Sequence, residues 1–241
     1  LERTQAGYQM TEAGASIYEI TQQIDQANVK ASRILLGQDA RLEGEINLTM
    51  PHEIYDYFLA NSIAQFQQQH PDIYFNMQVS RGLRNIANRE ADLAVRITAN
   101  PPEDLIGTRV SYFKHAFYKH PDLLIDNETP IIVWEKEKTS PLWALEYFNQ
   151  PRIVMRVDDL TSMHQAVKSG LGVARMPCFL PDMIADIQVS KIPIDIPLSN
   201  WGIWLLNHVD LRNTARINAC RAHLKNTLVN YIPFFEGKGV K

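Results

Sequence analysis

The sequence predicts an α/β protein of two lobes preceded by a long helix. Three patterns predict this fold class: a helical stripe of apolar residues near the start, and then two successive runs in which short strands alternate with helices. The 241 residues are 45% hydrophobic and 21% charged, which is enough for one large domain or two small ones. Disordered and disulfide-rich classes are excluded, because the composition is close to the globular average and the chain has two cysteines.

The long helix is predicted over residues 11–37. Thr11 is a good N-cap, Glu12 places a negative charge in the first turn, and Gly37 is a natural stop. Apolar residues alternate in steps of four and three, as in a coiled-coil seam: Ala13, Ile17, Ile20, Ile24, Ala27, Ala31 and Ile34. We expect this narrow stripe to pair with another chain. The alternative is that the helix docks on its own domain.

The first run of strands and helices covers residues 45–97. Strand patterns occur at 45–50, 73–79 and 92–97, with a short helix expected near 83–89. Pro51 opens a longer helix with two apolar faces, one formed by Tyr55, Leu59, Ile63 and Phe66, the other by Ile54, Tyr57 and Phe58. We expect the second face to offer a contact between copies of the domain.

The second run follows Pro121. Strands are predicted at 131–134, 152–157, 172–176 and 201–206, helices at 141–148, 160–169 and after Pro177, and a last long helix at 211–230. A polar linker at 38–44 separates the first helix from this body. Lobe I is predicted to comprise 45–120 and 206–235, and lobe II 121–205. The chain is expected to cross between them near 118–123 and again near 200–208.

The sequence lacks the patterns of several function classes. A formal net charge of −3 argues against a strongly basic nucleic-acid binder over these residues. Gly170-Leu171-Gly172 lacks the third glycine of a dinucleotide loop, and no P-loop, zincin or Gly-x-Ser-x-Gly pattern occurs. The histidines do not have metal-ligand spacing. We therefore expect no enzyme activity, no cofactor and no metal.

Two further observations indicate the cellular compartment of the protein. No apolar run approaches the roughly 18 residues that a membrane span needs, and no signal-peptide pattern opens the sequence. The two cysteines, Cys178 and Cys220, lie far apart in sequence and fit a reducing compartment. We expect a cytoplasmic protein without a membrane partner.

Several ordered segments resemble the LysR-type transcriptional regulators. The opening LERTQAGYQMTEAG is similar to the end of the family's winged helix-turn-helix domain, where a wing runs into a linker helix. Thr11, Ala13 and Gly14 match that pattern, and Met10 replaces the usual leucine. Other segments resemble the effector domain: GEINLTMP, QQQHPDI, NREADLAVR, TSMHQAVKSGLGVARMPCFL and WLLNHVDLRNTARINACRAHL. The resemblance covers essentially the whole chain.

This resemblance implies the regulatory part of a bacterial transcription factor. Residues 1–10 would be a remnant of the wing, 11–37 the linker and dimerisation helix, and the rest a two-lobed, periplasmic-binding-protein-like (type II) effector domain. The implied partners are a small-molecule effector between the lobes, further copies in a homodimer or homotetramer with antiparallel linker helices, and operator DNA bound through helices upstream of Leu1. The alternative is a secreted solute-binding protein, which the missing export signal and the coiled-coil stripe disfavour.

The effector site is expected at the strand ends. Ligands of open α/β sheets bind outside the carboxyl ends of the strands, which face the cleft in a two-lobed protein. This rule selects Thr49, Met50, Pro51, His52, Glu53, Ser80, Arg81, Gly82, Arg96, Ile97, Thr98, Thr161, Ser162, Arg175, Pro177 and Cys178. Several have structural alternatives: Met50 as packing, Pro51 and Pro177 as helix starts, and Ser80 as a helix cap. Arg96 and Arg175 have the alternative of ion-paired structural groups, and Cys178 that of a small apolar residue rather than a redox sensor.

The same site suggests the charge of the effector. Three arginines follow predicted strand ends: Arg81, Arg96 and Arg175. The helices that open at Pro51 and near Leu160 direct their N-termini to the same place, and both arrangements favour a carboxylate. We therefore predict an anionic effector, with His52 as a further donor. The alternative is a neutral pocket in which carboxylates cancel these charges: Glu53, Asp158 and Asp159.

Overall fold

The chain folds into a small hairpin, a long helix and two five-stranded sheets. A computed structural model describes residues 2–4, 7–36, 40–79, 91–103 and 105–238. Strands β1 (Glu2–Thr4) and β2 (Gly7–Gln9) pair antiparallel and form the hairpin. The predicted short helix near 83–89 lies outside the described residues.

Helix α1 (Glu12–Leu36) begins and ends within one residue of its predicted bounds. Thr11 caps it, since its Oγ1 accepts a hydrogen bond from the backbone N of Gly14 at 3.1 Å. The apolar stripe is uncovered: Ile17, Ile20 and Ile24 are 65%, 56% and 54% exposed. The stripe alanines Ala13, Ala27 and Ala31 are exposed as well, whereas the side chain of Ile34 lies outside the described part.

The first sheet, in lobe I, has the strand order β4-β3-β5-β12-β6. Its strands are β3 (Gly44–Met50), β4 (Ile73–Val79), β5 (Leu93–Thr98), β6 (Leu105–Tyr112) and β12 (Gly202–His208). β3 runs parallel to β4 and β5, as alternation with helices predicts, and β12 lies antiparallel between β5 and β6. The sequence patterns did not predict β6.

The helix after β3 contains an irregular turn. α2 (His52–Ile54) continues through a π-helical turn (Tyr55–Leu59) into α3 (Ala60–Gln69). The π turn inserts an extra residue, so side chains before and after it face the same core. Ile54 and Phe58 are buried there, and Tyr57 is partly buried against it. The expected contact between copies through a second face at 54–58 is therefore wrong.

The second sheet, in lobe II, has the order β11-β7-β10-β8-β9. Its strands are β7 (His115–Lys119), β8 (Thr129–Trp134), β9 (Pro151–Val157), β10 (Val173–Pro177) and β11 (Ser190–Lys191). β8 is parallel to β9 and β10, and β7 is antiparallel to β10. The helices of this lobe are α4 (Leu142–Tyr147), α5 (Leu160–Lys168) and α6 (Phe179–Ile184).

The chain makes its first crossing between the sheets earlier than the sequence predicts, and its second close to the predicted place. The first crossing lies between β6 and β7, at 113–114, and the second precedes β12, at 199–201. β7 therefore belongs to the second sheet and β12 to the first, which shifts the predicted boundaries at 120 and 205. After β12 come a 3-10 helix (Val209–Leu211), α7 (Ala215–Val229) and α8 (Ile232–Phe235).

An aromatic core joins the lobes at these crossings. We call Phe58, Phe113, Phe179 and Phe235 the hinge cluster. All four are buried, and Phe179 contacts the rings of Phe58, Phe113 and Phe235 at centroid distances of 5.7, 5.1 and 5.8 Å. The backbone N of Lys114 donates to the carbonyl of Phe235 at 2.9 Å. The cluster belongs to one apolar core that extends into both lobes.

Candidate functional site

Strand register places the carboxyl ends of both sheets beside the crossings. Gly202 pairs with Thr98 at the end of β5 and with Tyr112 at the end of β6, which leads into the first crossing. In lobe II, Pro177 at the end of β10 pairs with His115, the first residue after that crossing. The two edges that the sequence selects for a ligand therefore meet the same crossing region.

The end of β3 and the turn that follows it contribute mostly buried groups. Thr49, Met50, Pro51 and Glu53 are buried, and His52 is exposed. The backbone N atoms of Ile54 and Tyr55 both donate to the carbonyl of Pro51, which starts the helix in the predicted way. Met50 belongs to the apolar core, which agrees with its alternative interpretation as a packing residue. His52 is thus the residue of this group that is open to a ligand.

Arg96 donates hydrogen bonds to two residues of lobe I. Its side chain is 1% exposed, and its two terminal nitrogens donate to the carbonyl of Val95 at 2.9 Å and to Thr49 Oγ1 at 2.7 Å. Burial lowers the pKa of Arg96 to about 10, so the guanidinium stays charged at neutral pH. The charge is therefore present beside the strand ends, but these hydrogen bonds hold it within its own lobe.

Ile97 and Thr98, the two residues that follow Arg96, are engaged in packing and in hydrogen bonds. Ile97 packs against the apolar core. Thr98 closes a turn, because its Oγ1 donates to the carbonyl of Asn100 and accepts from the backbone N of Asn100. The indole of Trp204 donates to the carbonyl of Thr98 at 3.2 Å. Thr98 is therefore ordered at the edge of the sheet, with its hydroxyl already engaged.

Arg175 lies on the second sheet beside an aromatic group. Its strand position faces Phe117, whose ring packs against Tyr147 at 5.2 Å. Burial lowers the pKa of Arg175, and the Tyr147 phenol acts in the opposite direction. Pro177, two positions further along, is buried. Arg175 is half-buried, so it retains contact with solvent that Arg96 lacks.

His115 is a candidate residue that the sequence patterns missed. Burial, and then the charge of Arg175, lower the pKa of His115 to about 3, so its imidazole is neutral near pH 7. Its Nδ1 is buried without a hydrogen-bond partner among the described residues. The sequence does not single out His115, because this histidine is recognisable only as the first residue after the crossing, and the sequence patterns do not predict β7.

The start of α5 carries its own carboxylate. Asp159 caps this helix by accepting a hydrogen bond from the backbone N of Ser162 at 2.8 Å. Thr161 and Ser162 are exposed, as a contact role requires. Because a carboxylate already occupies this helix N-terminus, α5 offers less support to an anionic ligand than the sequence suggests.

Both cysteines, including the candidate site residue Cys178, lie in the protein interior. Cys178 and Cys220 are free and buried. Burial raises the pKa of both thiols, that of Cys220 to about 12, so neither thiol forms a reactive thiolate readily. Ser80, Arg81 and Gly82 lie outside the described residues. Within the described ranges, no three His, Cys, Asp or Glu side chains are placed to hold a metal.

None of the described helices is both long enough and apolar enough to span a lipid bilayer.

The fold places this protein in a known structural class. Two α/β lobes whose strand ends meet at a double crossing form the type II periplasmic-binding-like arrangement, here preceded by a long helix. Residues 39–229 match the LysR substrate binding domain. The chain belongs to this family.

The relatives agree with this assignment. A probable HTH-type transcriptional regulator LtrA from Klebsiella pneumoniae is 20% identical over 95% of this chain and 80% of its own length. An HTH-type transcriptional regulator from Xanthomonas campestris is 25% identical, over 52% of this chain and only 36% of its own length. These homologues are transcriptional regulators rather than enzymes, and they favour a regulator over the solute-binding alternative.

Solved structures show the same fold. The regulatory domain of CrgA, a LysR-type regulator from Neisseria meningitidis, has a TM-score of 0.65 at 15% identity, covering 79% of this chain and 99% of that one. Full-length AphB, a virulence activator from Vibrio cholerae, has a TM-score of 0.62 at 16% identity, covering 94% and 83%. The match with AphB extends beyond the two lobes to most of this chain.

Proposed function

We propose that this chain is the effector-sensing and oligomerising part of a cytoplasmic LysR-type transcriptional regulator without catalytic activity. A small molecule binds where the strand ends of the two lobes meet, and its preference for one lobe arrangement shifts the geometry of the oligomer. The observation that carries this proposal is the family match over 39–229 directly behind a helix with an uncovered apolar stripe.

The stripe on α1 supports an oligomer. Ile17, Ile20 and Ile24 are more than half exposed and repeat at coiled-coil spacing. A monomeric receptor gains nothing from leaving these side chains in water, since burial of each stabilises an assembly. We propose a homodimer or homotetramer with antiparallel linker helices. Sedimentation of a 27.6 kDa monomer at micromolar concentration would contradict it.

The hairpin before α1 supports a DNA-binding partner domain. β1 and β2 are short antiparallel strands that lead directly into the long helix, as the wing of a winged helix-turn-helix does. We propose that operator DNA is bound through helices that precede residue 1. Residues 1–43 carry Arg3, Lys30, Arg33 and Arg41 against six acidic side chains, too little positive charge for duplex binding. Specific, salt-sensitive shifts of operator DNA by this chain alone would disprove that division of labour.

We propose an anionic effector, a small carboxylate. Arg175 keeps solvent contact beside the crossing, and exposed His52 lies at the start of α2. Arg96 adds a fixed positive charge behind Thr49, without itself being open to a ligand. The cap on α5 by Asp159 acts against an anion, so Arg175 becomes the decisive group.

A thermal-shift screen tests this function. Small carboxylates are compared with their amides, because each amide keeps the shape and loses the charge. A ligand at 100 times its dissociation constant adds about 2.7 kcal/mol to stability, which is an easily measured shift. Arg175→Met keeps the side-chain length and should abolish the carboxylate's shift. An unchanged effector affinity in folded Arg175→Met and Arg96→Met variants would show that the arginines are scaffolding.

A further inference from the structure

Lobe I contains a pocket away from the strand ends. It encloses about 220 Å³ between β6, β12 and α7, and is lined by Thr108, Leu205, Asn218, Arg221, Ala222 and Lys225. Leu205 pairs with Val95, in the middle of β5 rather than at its end. All the lining residues belong to lobe I. The pocket is therefore distinct from the effector site proposed above.

Arg221 is held in a fixed orientation at this pocket. One terminal nitrogen of its guanidinium donates to Asn207 Oδ1 at 3.0 Å. Asn207 is buried, and its own amide donates to the carbonyl of His208 at 2.9 Å. This chain of bonds reduces the side-chain freedom that a ligand would otherwise have to restrict. A guanidinium has five N–H donors, so the others remain for a ligand.

A second cation lies one helical turn further along α7. Lys225 is four residues after Arg221, and like charges at this spacing repel each other. No carboxylate lines the pocket, and neither cation forms an ion pair within the described ranges. An anion placed between the two would relieve the repulsion and accept charge-assisted hydrogen bonds from both.

The remaining walls limit the kind of anion. Leu205 is fully buried and forms an apolar floor together with Ala222. Thr108 brings a hydroxyl from β6. The amide nitrogen of Asn218 is already engaged, donating to the carbonyl of Arg212 at 2.7 Å. The pocket thus combines two cations with a small apolar surface, which suits a compact anion.

We propose that this pocket binds a small oxyanion, a carboxylate or a phosphate, between the guanidinium of Arg221 and the ammonium of Lys225. The proposal goes beyond the function proposed above, because it assigns a second site within one lobe. Both anions match the fork of an arginine, so the experiment must distinguish them.

The test is a titration of the full chain with butyrate and with inorganic phosphate at constant ionic strength. Backbone amide shifts in the NMR spectrum report the site. We expect saturable shifts at Leu205 and over 218–225 with at least one anion. Arg221→Gln and Lys225→Gln should each weaken binding about tenfold or more, because each removes one charge-assisted contact. Saturation by butyrate alone identifies a carboxylate site, and saturation by phosphate alone a phosphate site.

Lys138→Gln is the matched control, since Lys138 is an exposed lysine of lobe II outside the pocket. It should leave binding unchanged. Saturation by neither anion, shifts confined to the strand ends near the crossings, or equal weakening by Lys138→Gln would overturn the proposal. If Arg221→Gln unfolds the chain through loss of the Asn207 bond, the exposed Lys225→Gln variant decides the outcome.

Discussion

Helix α1 and the hinge cluster place similar apolar side chains in opposite surroundings. Ile17, Ile20 and Ile24 of α1 are more than half exposed, whereas the four phenylalanines of the hinge cluster are buried and contact one another. The hinge cluster is complete within one chain, and α1 is not. This difference separates the part of the molecule that determines its stability from the part that we propose to determine its assembly.

Phe179→Ala should have the largest effect on stability. It removes the ring that contacts the three other members of the hinge cluster, and a buried Phe→Ala change costs about 3–5 kcal/mol. Denaturant unfolding measures the loss. The control is Leu142→Ala on α4, which should change little because Leu142 is 83% exposed. A loss below 1 kcal/mol for Phe179→Ala would show that the lobes do not depend on this cluster.

Ile20→Asp combined with Ile24→Asp should have the opposite effect, weakening assembly without lowering the stability of the two lobes. Two charges in the stripe should weaken association by at least about 100-fold, because a charge is costly to bury in a dry interface. Sedimentation measures the assembly, and the midpoint of unfolding of the two lobes should not fall. Ala15→Asp with Gln22→Asp adds the same charges to the opposite face of α1. Equal weakening by both pairs would mean that overall charge, not the stripe, controls assembly.

Acid should weaken the hinge region through the protonation of His115. The unfolded chain binds a proton at His115 near pH 6.5, and the folded chain only near pH 3, so unfolding takes up a proton between these values. Stability should therefore fall as pH drops through this window, by at most about 1.4 kcal/mol per pH unit from this group. α1 contains no histidine.

His115→Gln should flatten this part of the pH profile in chemical unfolding. His52→Gln is the control, because His52 is exposed. A profile for His115→Gln that is the same as that of the parent chain would exclude His115 as its source.

Thr11→Ala should have the smallest effect. It removes the cap on Gly14 and costs about 1 kcal/mol of helix stability, seen as fraying of α1 by circular dichroism. Thr21→Ala in the same helix is the control, since its hydroxyl bonds the carbonyl of Ile17 within the helix rather than a free end. Equal fraying by the two changes would argue against a special role for the cap.

The sequence predicts elements well where a local period determines them. The seam of α1, the parallel strands β3, β4 and β5, and the helix behind Pro51 follow from spacing alone. The parts that it misses depend on distant partners. β6 has the exposed Arg109 within it, and its neighbour β12 lies about a hundred residues further along the chain. The sequence does not predict the π turn, because the insertion of one residue interrupts the regular spacing of apolar residues that identifies a helix.

The site shows the same limit. The strand-end rule selects Arg96, but its partner Thr49 is 47 residues away, so the sequence does not show that the charge is held inside the lobe. The same rule does not select His115, because its position at the crossing can be recognised only once the strand pairing within each sheet is known. Local rules therefore locate the edge of the sheet, and pairing decides which side chains are open there.

The place of β12 in the first sheet has a consequence for the order in which a growing chain can fold. Among the described strands, β6 has β12 as its sheet neighbour, and β12 is made only after the whole of the second sheet. As a ribosome adds about 5–20 residues per second, β6 waits for several seconds without that partner, while β7 to β11 already have theirs. The lobe that begins second in sequence can therefore be completed first during synthesis.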